Sequence, residues 1–282
     1  MKKGFYFIKI DGRTLFLVTF FISLSIISSW LDKMERDYYG VQKGVAIEGV
    51  QVGRLLPGEL REVVQEMAIR YQKVPVEPAL DRETGAIIAE QPGIIVDVEK
   101  SVSNTLAAEE GENIELVLHK VKPRYQKESL EKVRSCIGSY KTWFHGSSAR
   151  YKNISLACQG INNTIIWPGQ EFSFNETTGP RTPERGYLPA PIILSGSFDM
   201  GYGGGVCQAS STLYNAALKA GLTITERHPH SKPVHYVPAG KDATVSYGDQ
   251  DLRFINNRAG PLIVKASNNS GRICAEIWGG DQ

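Results

Sequence analysis

The hydrophobic and polar positions of this chain form three successive patterns, and the first is an apolar run near the N-terminus. Residues 14–31 read TLFLVTFFISLSIISSWL and carry no charge. At 1.5 Å per residue they would form about 27 Å of helix, close to the ~30 Å hydrocarbon core of a bilayer. Four basic residues precede the run. The pattern predicts residues 1–31 as a cytoplasmic tip and single transmembrane anchor, with the rest of the chain outside. A cleaved signal peptide is the alternative.

The second pattern mixes short β-like runs with one amphipathic helix. Residues 32–43 are polar and are predicted to be a linker. In residues 44–123, LPGELREVVQEMAIRY has apolar side chains at helical spacing and Pro57 near its start. Strand-like segments flank it, among them GVAIEGVQVG and IELVLHKV. A small α+β domain is predicted, ending at Pro123.

The third pattern, in residues 124–282, places helices before strands. KESLEKVRSCIGSY and ARYKNISLACQGI have apolar residues on one helical stripe each. ATVSY, LRFINN, PLIVKAS and RICAEIW are short, rich in β-formers and separated by turn residues. They predict an α+β domain in which helices pack on an antiparallel meander.

Composition changes this picture little. The 282 residues are 41% hydrophobic and 22% charged, as in ordinary globular proteins. The 32 basic and 30 acidic residues leave a net charge of +2, which provides no basic surface for nucleic acid. No nucleic-acid partner and no cofactor is predicted.

Four cysteines are widely spaced, with no C-x-x-C pair to indicate a zinc ribbon. Cys136 and Cys158 fall at apolar positions of the predicted helices. They are therefore predicted to be core residues first, with a disulfide as the second possibility.

Cys207 stands in a different setting, GYGGGVCQASSTLYNAALKAGL, directly after a run of glycines and at the start of a predicted helix, residues 206–220. A dinucleotide-binding G-x-G-x-x-G loop would require glycine where Val206 stands. A structural interpretation is that Gly203, Gly204 and Gly205 only allow a sharp turn, with Cys207 in the core.

A third interpretation makes Cys207 a nucleophile. A helix N-terminus favours the thiolate, and the glycines would let a substrate backbone lie close to the sulfur. Free amides of the first turn, assisted by Gln208, would stabilise a developing oxyanion. Cysteine acyl transfer needs this arrangement.

Such a thiol needs a base, and three of the five histidines follow in RHPHSKPVHYVPAGKDATV. His230, or else His228, is the candidate base, and Asp242 would orient its imidazole. The alternatives are solvent-exposed loop histidines, or a zinc site formed by Cys207, His228 and His230.

The long polar loop WPGQEFSFNETTGPRTPERGY precedes these motifs and is of the kind that carries function. Its arginines, Arg181 and Arg185, could hold a peptide carboxylate through two parallel hydrogen bonds. The alternative is that both are solvated surface charges.

Four segments in order resemble the VanW family: INNTIIWPGQEFSFNETTGPRTPERGY, GGGVCQASSTLYNAALKAGL, RHPHSKPVHYVPAGKDATVSYG and DLRFINN. The resemblance covers about residues 147–278. The family is named after an accessory gene of glycopeptide-resistance clusters, so the resemblance implies a cell-wall context rather than a reaction. Residues 45–121 resemble the peptidoglycan-binding domain often placed before such domains.

VCQASSTLYNAALKAGLTI also resembles the cysteine helix of NlpC-type peptidoglycan peptidases. The chain departs from that pattern, since Val206 stands where those enzymes have aspartate and the histidines follow the helix at once. Two functions therefore stand side by side. One is a membrane-anchored, extracytoplasmic cysteine peptidase or transpeptidase acting on peptidoglycan stem peptides. The other is a non-catalytic peptidoglycan-binding or scaffold protein.

Overall fold

The computed structural model describes residues 11–194 and 197–280, with the side chains of residues 193–198 outside the description. The chain divides into two compact units, which are described separately. The first contains residues 11–75 and 92–122, and the second contains residues 76–91 and 123–280. Helices and small, mostly antiparallel sheets occur in both, so the predicted α+β class is confirmed.

Seven α-helices are described: α1 (Gly12–Tyr39), α2 (Pro57–Tyr71), α3 (Val98–Leu106), α4 (Lys127–Glu131), α5 (Ser148–Ile161), α6 (Phe174–Thr178) and α7 (Val206–Lys219). The strands of the first half are β1 (Ala46–Ile47), β2 (Val50–Gln51), β3 (Ala79–Leu80), β4 (Ile87–Ile88), β5 (Gly93–Val96), β6 (Asn113–Ile114) and β7 (Leu118–Val121). Those of the second half are β8 (Ser135–Trp143), β9 (Thr164–Ile166), β10 (Glu171–Ser173), β11 (Pro189–Leu194), β12 (Ser197–Tyr202), β13 (Thr223–Glu226), β14 (Arg253–Ile255), β15 (Leu262–Asn269) and β16 (Arg272–Gly279).

Helix α1 contains the apolar run and is long and apolar enough to cross a membrane. The side chain of Asp11 caps its N-terminus by accepting from the backbone amides of Arg13 and Thr14. The predicted linker differs from the structure, because residues 32–39 continue the helix up to Gly40. Arg36 also pairs with Glu59 at the start of α2, at 2.6 Å, which holds this end of the helix in place. The helix fits either a single-pass anchor or a signal sequence.

The core of the first unit lies under α2, whose residues Leu60, Val64 and Met67 are buried as the helical spacing predicts. Strand β1 pairs with β2 in antiparallel and with β6 in parallel orientation. A second pair, β5 with β7, is antiparallel.

The second unit has a four-stranded sheet of order β8-β16-β15-β9 and a three-stranded sheet of order β10-β14-β13. The predicted four-strand meander is therefore only partly right. PLIVKAS and RICAEIW form its central hairpin, β15 with β16, but β8 and β9 flank that hairpin. ATVSY makes only isolated bridges, Thr244 to His228 and Ser246 to Gln250, because its backbone packs against α7 instead.

The predicted helix over KESLEKVRSCIGSY is wrong beyond its first turns. Helix α4 ends at Glu131, and β8 begins at Ser135 and pairs along its length with β16. Long-range pairing of a segment rich in β-formers overrides its helical spacing here. As a consequence Cys136 is exposed, and its predicted core position is also wrong.

Helices α5 and α7 were predicted correctly and contribute to the core of the second unit. The expected stripe of α7 is buried, with Val206, Ser210, Leu213 and Ala217 inside. Strand β8 approaches this helix at Gly138. A Cβ there would collide with the carbonyl oxygen of Ala216 and lie 2.6 Å from the amide nitrogen of Ala220.

Residues 76–91, which carry the hairpin β3–β4, belong to the second unit rather than to the continuous 44–123 range expected from sequence. Arg82 anchors this hairpin by donating to Thr164 Oγ1 at 2.6 Å and to the carbonyl of Asn162 at 3.0 Å. The side chain of Asn163 donates back to the carbonyl of Arg82 at 3.1 Å. Side-chain anchoring of this kind leaves no periodic signal in the sequence.

The close approach of β8 to α7 generates a prediction. Gly138→Ala should lower the free energy of unfolding by about 1–3 kcal/mol, because the added methyl group must push backbone apart. Chemical denaturation of the detergent-solubilised chain would measure the change. Gly260→Ala is the control, since no atom lies within 4 Å of a Cβ built at that position. Equal stability of Gly138→Ala and the unmodified protein would contradict the prediction.

Candidate active site

Three segments of the second unit meet at the N-terminus of α7. They are the glycine turn, residues 203–205, the segment that follows β13, and residues 242–245. Ser211 on α7 joins the helix to the last segment, because its Oγ donates to the carbonyl of Cys207 at 2.7 Å and accepts from the amide of Ala243 at 2.9 Å.

Cys207 occupies the first turn of α7 and is half-buried. Its Sγ donates to the carbonyl of Val245 at 3.5 Å. The thiol therefore stands at the rim of the core, beside the helix amides that favour a thiolate.

Asp242 holds His230 through two contacts. One carboxylate oxygen lies 2.7 Å from the backbone amide of His230 and 2.7 Å from Nδ1 of its ring. The other oxygen accepts from Arg227 at 2.7 Å. The side chain of His230 is almost fully enclosed. Ring orientation and tautomer are thus set, with Nδ1 protonated toward the carboxylate.

Asp242 engages Nδ1, so the other ring nitrogen, Nε2, is free of that carboxylate. The side chain of His230 interacts with the thiol of Cys207, and each side chain shifts the pKa of the other. The hydroxyl of Tyr236 lies 3.3 Å from Nε2. Burial raises the pKa of Tyr236 far above its usual range, so its hydroxyl stays protonated and can donate.

The three groups support each other electrostatically. Burial by itself raises the pKa of Cys207, but the hydrogen bond and charge of His230 outweigh it and hold that pKa below its ordinary value. Burial lowers the pKa of His230, and the contacts with Cys207 and Asp242 outweigh this and raise it. Burial likewise raises the pKa of Asp242, and bonding to His230 brings it below its usual value. The arrangement favours a thiolate–imidazolium pair.

The glycine turn is explained by its neighbours. Gly203 and Gly205 have φ of 86° and 110°, where other residues are strained. Gly204 lies against the backbone of β11, and a Cβ there would be 2.6 Å from the carbonyl oxygen of Pro191. The turn brings the amides of Val206 and Gln208 onto the carbonyls of Gly203 and Gly205. Within the described residues, the amide of Cys207 between them donates to no carbonyl.

The side chains of two residues proposed from sequence, His228 and Gln208, contact groups other than those expected. Nε2 of His228 contacts Glu226 at 2.9 Å rather than Cys207. The side-chain amide of Gln208 is buried and donates to the carbonyl of Trp143 at 2.8 Å and to Thr142 at 3.1 Å. It has no donor left for an oxyanion. Its carbonyl oxygen instead accepts from Arg150 at 2.8 Å.

The two candidate arginines, Arg181 and Arg185, lie in different surroundings. Arg185 is exposed and donates to the carbonyl of Thr178 at 2.9 Å. Arg181 packs on Gly203 and interacts electrostatically with Cys207, so only Arg181 lies at the site. Both Nη atoms of Arg181 are buried without a hydrogen-bond partner.

Sequence reasoning missed Arg150, Arg227 and Tyr236. Arg150 comes from α5, more than 50 positions before Cys207. Arg227 and Tyr236 stand within the histidine segment that was already singled out, so a search for polar neighbours of the histidines would have found them.

The zinc alternative has no support from geometry, since in the described part of the chain no three His, Cys, Asp or Glu side chains are grouped to hold a metal ion.

The comparison with family models covers this same region. The family model described as "VanW like protein" matches residues 149–278. The chain is 44% identical over 146 residues to the uncharacterized protein YoaR of Bacillus subtilis, covering 51% of this chain and 48% of the relative. It is 32% identical over 135 residues to the vancomycin B-type resistance protein VanW of Enterococcus faecalis, covering 46% and 49%. The chain thus spans about half the length of the curated relatives it matches. No solved structure matches it.

The hydrogen-bonded pair generates a prediction about thiol reactivity. His230 lowers the pKa of Cys207. The rate of its alkylation by iodoacetamide should therefore already be high near neutral pH, which lies below the pKa of ~8.5 of a free thiol. His230→Ala should shift the pH profile of alkylation upward, since the imidazolium that stabilises the thiolate is lost. Peptide mapping after limited labelling would give the rate at each cysteine.

Two internal references sharpen this measurement. Burial raises the pKa of Cys158 to about 12, so Cys158 should label slowest. His235→Ala, at an exposed histidine, should leave the profile of Cys207 unchanged. Labelling of Cys207 only after denaturation would contradict the nucleophile assignment.

Proposed function

We propose that this chain, a VanW family protein through its domain at residues 149–278, is a membrane-anchored, extracytoplasmic enzyme that transfers acyl groups of peptidoglycan stem peptides through Cys207. The observation that carries the proposal is that Asp242 holds the ring of His230 by a hydrogen bond, while the same ring interacts with the thiol of Cys207 and lowers its pKa. A nucleophile, a base and a group that orients the base are the parts that cysteine acyl transfer requires.

Acylation would proceed in two steps. The Cys207 thiolate forms a bond to the carbonyl carbon of a peptide unit, and the carbonyl electron pair moves onto its oxygen. The electron pair on the oxygen then re-forms the carbonyl group as the carbon–nitrogen bond breaks, and the proton on Nε2 of His230 passes to the leaving amine. The products are a thioester on Cys207, a free amine and a neutral His230.

Deacylation uses the same groups in reverse order. Nε2 of His230 accepts a proton from the attacking water or amine, which forms a bond to the thioester carbon. The sulfur leaves as a thiolate, and the thiolate–imidazolium pair is restored. Water as acceptor makes the protein a peptidase, and an amine makes it a transpeptidase.

Two donors would stabilise the oxyanion. The backbone amide of Cys207 lies at the N-terminus of α7, where the helix dipole adds to its effect. The hydroxyl of Tyr236 stands beside Nε2 of His230 and stays protonated. This pair replaces the Gln208 amide proposed from sequence.

The cell-wall setting has separate support. Helix α1 is compatible with a membrane anchor, and basic residues precede it. One relative carries vancomycin B-type resistance in its name. Stem peptides are the wall component with amide bonds that a cysteine enzyme can attack, so they are the proposed substrate class.

The non-catalytic alternative has an observation in its favour as well. Cys207 is one of the partly buried residues packed against the core of the second unit, as a structural cysteine would be. In that case the domain would bind peptidoglycan and its glycine turn would serve packing alone.

If the protein is an enzyme, the full-length chain in detergent should turn over purified disaccharide-linked stem peptides. Liquid chromatography with mass spectrometry should detect a cleaved or exchanged amide and an acyl adduct on the Cys207 peptide. Cys207→Ala should abolish both signals. Asp242→Asn should lower the rate about 10²- to 10⁴-fold, because the base loses its orienting carboxylate.

Sedimentation with purified cell walls separates the two functions. Product formation that depends on Cys207 supports the enzyme. Absence of product, together with equal wall binding by the unmodified protein and Cys207→Ala, would refute catalysis and leave the binding function.

Membrane topology is tested on intact protoplasts. Added protease should digest the chain beyond α1, because the basic flank keeps the N-terminus in the cytoplasm. Immunoblotting against the C-terminus gives the readout, with a cytoplasmic protein as the integrity control. Full protection of the second unit would reject the extracytoplasmic location.

A further inference from the structure

Two arginines lie across the glycine turn beside Cys207, and together they are called the arginine pair: Arg150 and Arg181. A Cβ on Gly203 would be 2.9 Å from Cγ of Arg181, and one on Gly205 would be 3.1 Å from Cγ of Arg150. Side chains at these two turn positions would therefore displace the arginines. Both guanidinium groups interact electrostatically with Cys207.

Neither member of the pair forms an ion pair with any described residue. Arg150 donates to the neutral amide oxygen of Gln208. Arg181 faces the ring of Phe174, with its guanidinium carbon 5.8 Å from the centroid, and its buried Nη atoms have no partner. The contrast with Arg253 is clear, since that side chain contacts Glu171 and Asp251 at 3.1 Å each.

The carboxylates near the pair are already engaged. Asp251 interacts electrostatically with Arg181, but its oxygens bond to Ser173, to the amide of Asn175 and to Arg253. Asp242 is held by Arg227 and His230. The Cys207 thiolate is balanced by the His230 imidazolium. Two positive charges beside Cys207 are therefore left without an anionic partner among the described residues.

Leaving buried guanidinium groups without an anion costs free energy, because desolvation is not repaid by a charged partner. Burial lowers the pKa of both arginines, in line with this cost. Guanidinium groups bind carboxylates through charge-assisted hydrogen bonds, with a geometry that lysine lacks. A ligand carboxylate would supply the missing partner.

We infer that the arginine pair forms a carboxylate subsite beside Cys207, so that the substrate carries a carboxylate next to the carbonyl group that the thiolate attacks. This inference rests on the proposed function and narrows its substrate class to acidic peptide segments. The carboxylate comes either from a free peptide C-terminus or from an acidic side chain.

Two alkylating reagents of nearly equal size test the subsite without any turnover. Iodoacetate carries a carboxylate and iodoacetamide a neutral amide, and both react with the thiolate by displacement of iodide. The ratio of their rates at Cys207 therefore cancels the thiolate fraction. We expect this ratio to be higher in the native protein than in the same protein unfolded in urea.

Substitutions of the two arginines test whether they cause the higher rate ratio in the native protein. Arg150→Gln and Arg181→Gln should each lower the iodoacetate-to-iodoacetamide ratio about fivefold, because each removes one charge near the sulfur. Arg150→Lys and Arg181→Lys keep the charge and should keep most of the ratio. Arg272→Gln, at an exposed position of β16, is the matched control and should leave the ratio unchanged.

Short peptides identify the source of the carboxylate. Acetyl-Ala-Ala with a free C-terminus and acetyl-Glu-Ala-amide are tested for protection of Cys207 against iodoacetamide, with acetyl-Ala-Ala-amide as the uncharged control. Protection by the first assigns a terminal carboxylate, and protection by the second assigns an acidic side chain. A native ratio equal to the unfolded one, or protection by neither acidic peptide, overturns the inference. A raised ratio in a protein that turns over no stem peptide would refute the proposed function alone.

Discussion

The carboxylate of Asp242 is the contact on which the rest of the site depends. It accepts hydrogen bonds from the ring and the backbone of His230 and from Arg227, and so closes the segment between β13 and residue 242 into one arrangement. Without it, the imidazole would have no fixed tautomer and no fixed direction toward Cys207. Arg227 also donates to the backbone carbonyl of Asp242 at 2.6 Å, so the carboxylate itself has little freedom to move.

Helix α7 carries the other half of the site and is held at both ends. Cys207 lies at its N-terminus, directly after the glycine turn, which packs against the side chains of Arg150 and Arg181. The C-terminal end of the helix contacts β8 at Gly138. Between them, Gln208 ties the helix to β8 through the carbonyl of Trp143 and to α5 through Arg150. The position of the thiol is therefore a property of the packed sheet and helices rather than of a surface loop.

How much the sequence could predict depended on whether the signal was local. Helices α2, α5 and α7 have regular apolar spacing, and the structure forms them within one or two residues of the predicted bounds. Strand β8 has helical spacing but follows its pairing with β16, which no local pattern encodes. The sequence singled out Cys207, His230 and Asp242, which the structure brings together. It overlooked Arg150, because only the packing of α5 against α7 brings that side chain to the turn.

The hairpin at residues 76–91 means that the polypeptide passes between the two units three times, near residues 75, 91 and 122. The second unit is thus not a contiguous stretch of sequence, and a truncation at residue 123 would remove two of its strands along with the anchor Arg82. A single proteolytic cleavage near residue 122 would leave the two fragments associated, because the hairpin of the N-terminal fragment packs in the second unit. Gene fusions that transplant the VanW-like region alone would lose a structural part that lies outside the matched residues.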